Sequence, residues 1–129
     1  MEIGYVNQLP NEIDLYELYG ELNWNTFLKL PPYKLRKALE NSFYTVSAYC
    51  EGKLVGTGRI VSDGVMNAFI CGLGVSPEFQ GNGIGTRLFK QLTEHAERNA
   101  LHIQFFCEDE ILPYYEKLGF KKFANGMMK

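Results

Sequence analysis

The chain has 129 residues, 46% hydrophobic and 22% charged; that is close to the globular average and excludes a disordered tail or a collagen-like chain. One domain over residues 1–129 is expected, since single domains run ~100–150 residues. Thirteen basic residues stand against fifteen acidic ones, a net charge of −2, so no nucleic-acid partner is expected; no apolar stretch approaches the roughly 18 residues of a membrane span.

Residues 1–4 lack a basic region followed by an apolar one, so no signal peptide is expected and the chain reads as soluble and cytoplasmic. Residues 3–6 read as a first strand. Residues 11–19 carry Ile13, Leu15, Tyr16, Leu18 and Tyr19, a helix with a broad apolar face, with Asn11 as its cap and Gly20 as its stop. Trp24 and Phe27 follow, and Pro32 opens a second helix over 34–40. Residues 43–50, 53–60 and 67–75 are rich in β-formers. Glu51–Gly52 and Asp63–Gly64 separate them, which predicts a three-strand antiparallel meander.

Residues 84–99 show the clearest helical period, through Ile84, Leu88, Phe89, Leu92 and Ala96. A strand over 102–107 then implies a parallel pair with the 67–75 strand and a right-handed crossover. A short helix over 112–118 stops at Gly119. Residues 120–123 read as a strand, Asn125–Gly126 as a turn and 127–129 as a stub strand. Cys50, Cys71 and Cys107 lie far apart with no metal-binding spacing and read as buried reduced thiols; no metal is expected. Neither His95 nor His102 has a chemical neighbour in sequence.

The most informative segment is QGNGIGT, residues 80–86, between a strand and the long helix. Three closely spaced glycines let backbone approach a ligand, and the helix start offers free N–H groups and the positive end of its dipole. A phosphate or pyrophosphate suits such a site. Thr86 and Arg87 follow Gly85, so the Gly-Lys-Ser/Thr ending of a Walker A loop is missing; the last glycine of a dinucleotide fingerprint is also missing. A Gly-rich turn without a ligand is the remaining alternative.

Gln80, Gly83 and Gly85 fill Q-x-x-G-x-G, which resembles the acetyl-CoA pyrophosphate loop of the GNAT superfamily of N-acetyltransferases. The likeness runs through LGVSPEFQGNGIGTRLF (73–89) and reappears in PYYEKLGF (113–120). It implies a mixed α/β fold: a mostly antiparallel sheet of about six or seven strands with a splayed parallel pair, flanked by about four helices. It implies acetyl-CoA as co-substrate and acetyl transfer to a primary amine, with a small molecule as the expected acceptor. The alternatives are a peptide or protein amine, or a non-catalytic acyl-CoA-binding module. Dimers are common in that family, so a homodimer is compatible with it.

The resemblance also implies roles. Backbone N–H groups of Gln80, Gly81, Asn82, Gly83, Gly85 and Thr86 would hold the pyrophosphate. Leu73 and Val75 would pair with the pantetheine arm, and the Leu73 N–H would polarise the thioester carbonyl, worth ~3–4 kcal/mol. Tyr115 resembles the acid that meets the leaving thiolate; Tyr114 reads as packing. Residues 107–120 are similar to the arylalkylamine N-acetyltransferase branch, but Phe69 and Cys71 stand where that branch carries histidines. Glu108 occupies a pantetheine-contacting position and would bind, act as base or cap a helix. In the family the loop between the first two helices sets the acceptor; here it holds Trp24 and Phe27, with Glu21 as an ammonium partner.

Overall fold

A computed structural model describes residues 1–129. Its elements in chain order are β1 (Gly4–Val6), α1 (Glu12–Glu21), α2 (Pro32–Glu40), β2 (Tyr44–Cys50), β3 (Lys53–Ser62), β4 (Asn67–Val75), α3 (Ile84–Arg98), β5 (His102–Phe105) and α4 (Leu112–Lys117). Single 3-10 turns at Pro77–Phe79 and Asp109–Ile111 precede α3 and α4. No helix is long and apolar enough to cross a membrane.

The five strands form one sheet in the order β1-β2-β3-β4-β5. The first three junctions are antiparallel, and β4 and β5 pair in parallel. Glu51 (φ 49°) and Gly52 (φ 79°) make the two-residue turn between β2 and β3, the geometry that matches strand twist in tight hairpins. α3 carries the chain from β4 to β5, as the parallel connection demands.

Two apolar layers sandwich the sheet. Val46, Val55, Ile60 and Ile70 meet Ile84, Leu88, Leu92 and Ala96 of α3 on one face. Leu54 meets Leu15, Leu18, Leu35 and Leu39 of α1 and α2 on the other. Leu54 and Val55 face opposite ways because strand side chains alternate.

Local chemistry sets the helix ends. The Asn11 side chain accepts from the N–H of Ile13 at 2.7 Å and of Asp14 at 3.3 Å, capping α1. Gly20, expected from sequence as the stop, does not end α1; the helix runs on to Glu21. The left-handed residue is Asn23 (φ 59°). Its N–H donates to Gly20 O at 3.1 Å, and Trp24 N–H donates to Tyr19 O at 3.0 Å. That pair of bonds is a Schellman motif, which needs its left-handed residue after the cap and not inside the last turn. α4 ends the same way: Gly119 (φ 97°) donates to Glu116 O, and Phe120 donates to Tyr115 O.

The sheet has five strands, not six or seven. Residues 120–123 and 127–129 form no ladder. The α4 stop turns Phe120 inward against Phe89 and Phe105. β5, the only edge within reach, is four residues long, so the β-formers after it find no pairing. The three cysteines are unpaired and half-buried, not fully buried.

Candidate functional site

The β4–β5 ladder runs from Asn67↔His102 to Ile70↔Phe105 and stops. β4 continues to Val75 with no strand beside residues 71–75 on that side, so the parallel pair splays. The Leu73 side chain points towards α3, where a Cβ on Gly58 would come within 2.9 Å of it. Gly72 and Gly74 face the other way, towards α1 and the loop behind it.

Beyond β4 the chain turns sharply. Ser76 N–H donates to Val55 O at 2.7 Å, and the Gln80 amide donates to Val75 O at 2.9 Å. The Asn82 amide donates to the Phe79 and Gln80 carbonyls. These side-chain bonds hold the loop's shape. Gly81 (φ 82°) and Gly83 (φ 79°) are left-handed, a conformation that favours glycine. Gly83 caps α3 with no side-chain bond to the helix start, leaving first-turn N–H groups to face outward. Gly85 is different: its φ is ordinary, and an added Cβ would meet only Val75 Cγ2 at 3.6 Å, a normal contact. Nothing in the folded chain requires glycine there.

Two clefts open on the splay. The first, of about 370 Å³, is lined by Leu73, Val75, Gln80, Gly81, Gly83, Gly85 and Thr86, with Tyr114 and Tyr115 closing it. The second, of about 610 Å³, is mostly apolar and lies between Trp24, Phe69, Cys71, Phe106, Cys107 and Glu108. Leu73, Phe89, Ile111 and Tyr115 belong to both, so the clefts meet there. A smaller pocket of about 280 Å³ under the C-terminal segment contains no glycine-loop residue.

Tyr115 stands at the junction. Its ring packs 4.7 Å from Phe105 and 5.1 Å from Phe89, centroid to centroid. Burial first, then Tyr114 and Cys107, push its phenol above the usual tyrosine range, so it is protonated at neutral pH. Tyr114 packs as its position predicts, edge-on to Tyr115 at 5.0 Å, and its hydroxyl also hydrogen-bonds the Thr86 hydroxyl across the first cleft. Its place beside Tyr115 in the PYYEKLGF stretch is the one sequence signal that marks it.

The expected acceptor residues part company. Trp24 is seated by the α1 Schellman motif, edge-on to Tyr19 at 5.2 Å and over Gly74. Phe27 is 88% exposed and lines neither cleft. The Glu21 carboxylate lies 3.7 Å from Lys53 Nζ and accepts from the Ser76 hydroxyl at 3.2 Å, away from both clefts. Glu108 lines the second cleft and not the glycine loop, and Asn82 lines neither. Sequence reasoning missed Phe106, which follows β5 and meets Phe69 at 5.2 Å; only the splay brings it into the cleft.

A family model described as the acetyltransferase (GNAT) family matches residues 12–120. A protein named uncharacterized N-acetyltransferase ycf52, from Pyropia yezoensis, is 34% identical over 120 residues, covering 89% of this chain and 69% of that protein. GCN5-related N-acetyltransferase 2, chloroplastic, from Arabidopsis thaliana is 29% identical, covering 98% of this chain but 59% of that protein. The chain thus spans about three-fifths of the Arabidopsis relative. A protein of unknown function from methicillin-resistant Staphylococcus aureus, described as a probable acetyltransferase, superposes with a TM-score of 0.83 at 19% identity, over 99% of this chain and 98% of that one. At that identity the likeness speaks for the fold.

Proposed function

The chain belongs to the acetyltransferase (GNAT) family, and from that premise we propose that it moves an acetyl group from acetyl-CoA to the primary amine of a small molecule, by direct attack with both substrates bound. The observation that carries this reading is the meeting of a glycine-loop cleft and an apolar cleft at Leu73 and Tyr115. One cleft suits an anionic cofactor arm, the other an amine body, and the reacting atoms would meet where they join. Gly85 adds support: a glycine the free fold does not need is explained by a phosphate seated against it.

In this reading the first-turn N–H groups of α3 hold the pyrophosphate, and residues 73–75 line the thioester arm. The amine nitrogen attacks the carbonyl carbon, its C–S bond breaks, and CoA leaves as thiolate. The Leu73 N–H stabilises the developing oxyanion. Tyr115 gives its proton to the sulfur as it leaves, and the proton released by the attacking nitrogen passes through solvent to restore the phenol. A phenol above ~10 is a weaker acid than a thiol at ~8.5. Transfer at rest is therefore uphill, and the gain comes from hydrogen bonding to sulfur as charge develops, about 10²–10⁴-fold in rate. A lysine-like acceptor must also lose a proton first, at a cost of ~4–5 kcal/mol at pH 7. Glu108 is the carboxylate in the acceptor cleft and is assigned that base role. Unpaired cysteines fit a reducing compartment such as cytoplasm or a plastid interior.

Calorimetric titration with acetyl-CoA, with ATP and NAD as comparisons, tests the cofactor. Acetyl-CoA heat alone is expected. No acetyl-CoA binding by folded protein overturns the proposal, and binding without acetylation of any amine turns it into a non-catalytic acyl-CoA-binding module.

A further inference from the structure

The helix that carries Tyr115 is lightly held. α4 has six residues, none of them fully buried, and no side chain caps its start. Stacking of Tyr115 on Phe89 and Phe105 draws it onto the body of the protein. Apolar attraction is not directional, so by itself it leaves the roll of so short a helix free. A phenol that must meet one sulfur atom needs that roll fixed, because small misplacements of a reacting group are costly in rate.

The Tyr114 hydroxyl supplies a second, directional point of attachment. It hydrogen-bonds the Thr86 hydroxyl in the first turn of α3, the only side-chain hydrogen bond that α4 makes. Thr86 and Phe89 are three residues apart on α3 and so lie on one face of it. Tyr114 and Tyr115 are consecutive, ~100° apart around α4, and their rings meet at 79°. One tyrosine therefore grips Thr86 while the next grips Phe89. All four side chains line the glycine-loop cleft, so the attachment spans the space in which Tyr115 acts. The bond uses the Thr86 hydroxyl and leaves that residue's N–H to the helix start.

We propose that Tyr114 is a positioning residue: its bond to Thr86 fixes the roll of α4 on α3 and so aims the Tyr115 phenol at the leaving sulfur. The inference rests on the acid role proposed for Tyr115 above.

Tyr114→Phe removes one oxygen and keeps the ring. It should lower kcat about two- to tenfold, the population factor that a net hydrogen bond supplies, with KM for acetyl-CoA within about twofold of wild type. Thr86→Val should lower kcat alike, and Thr86→Ser should restore it. Tyr114→Phe and Thr86→Val together should cost no more than either alone, since each removes the same bond. In a Tyr115→Phe background, Tyr114→Phe should cost under about 1.5-fold, because no phenol is left to aim. Unchanged kcat in Tyr114→Phe overturns the proposal, as does an equal loss in both backgrounds. A loss confined to KM for acetyl-CoA also overturns it and makes Tyr114 a cofactor ligand instead. Full turnover in Tyr115→Phe alone removes the acid role itself, so the two failures are told apart.

A second arm needs no acceptor. Ring currents of Phe89 and Phe105 should displace the Tyr115 ring-proton resonances from their unfolded-chain positions; loss of these signals in Tyr115→Phe assigns them. They should move back towards the unfolded-chain positions in Thr86→Val and stay in place in Thr86→Ser. Unmoved resonances in Thr86→Val overturn the proposal whether or not any amine is acetylated.

Discussion

Replacing Gly74 with alanine should expel the Trp24 ring from the sheet. Gly74 has no left-handed φ, so alanine suits its backbone and the effect is steric alone. An added Cβ would lie 2.7 Å from Trp24 Cζ2, closer still to Cη2, and 2.9 Å from Leu22 Cδ1. The Leu22 methyl can give way; an indole cannot bend. Trp24 is 40% exposed now. Swinging it out would uncover roughly 100 Å² of apolar surface, or ~2.5 kcal/mol at 25 cal/mol/Å². Overpacking without escape costs ~1–3 kcal/mol. Both routes give about 2 kcal/mol, which for a chain of this size lowers Tm by about 7 °C. Trp24 is the only tryptophan, so its emission reports the ring directly. Gly74→Ala should red-shift native fluorescence and lower the urea midpoint without changing m. In a Trp24→Ala background, followed by circular dichroism, the same substitution should cost under about 0.5 kcal/mol, because the rigid partner of the clash is gone and the remaining Leu22 methyl can turn aside. An equal cost in both backgrounds would refute the contact.

Tyr115→Phe should lower kcat by about 10²–10⁴-fold with acetyl-CoA affinity nearly unchanged; wild-type turnover removes Tyr115 from the chemistry. Gly85→Ala should stabilise the free protein by up to ~1 kcal/mol, as alanine does in a helix, while weakening acetyl-CoA binding in calorimetry; unimpaired binding would mean the cofactor does not pass Gly85. Burial, then the Arg98 charge, hold His95 below the usual imidazole range, and its ring stacks on Tyr44 at 3.6 Å. Its contribution to stability is therefore present above the unfolded value of ~6.5 and is lost as pH falls from there towards the folded value. Urea midpoints between pH 7.5 and 5 should fall less steeply in His95→Phe, and identical slopes would assign the pH dependence elsewhere.

What sequence alone determined here is local. The Glu51–Gly52 hairpin, the Asn11 cap, the apolar stripe of α3 and the 80–86 loop each follow from the conformational preferences of a few neighbouring residues. The strand–helix–strand order then forced a parallel β4–β5 pair, because the handedness of that connection leaves little choice. Tertiary structure decided whatever depends on a distant partner. Residues 120–123 have strand composition, but a strand exists only where an edge is open to it, and Phe120 is drawn to Phe89 and Phe105 first. Glu21 and Phe27 lie close to Trp24 in sequence, yet Lys53 and Ser76 claim the first and solvent the second. Neither outcome is marked in the sequence, since the partners of a side chain are fixed only when α1, β3 and the turn after β4 are packed together.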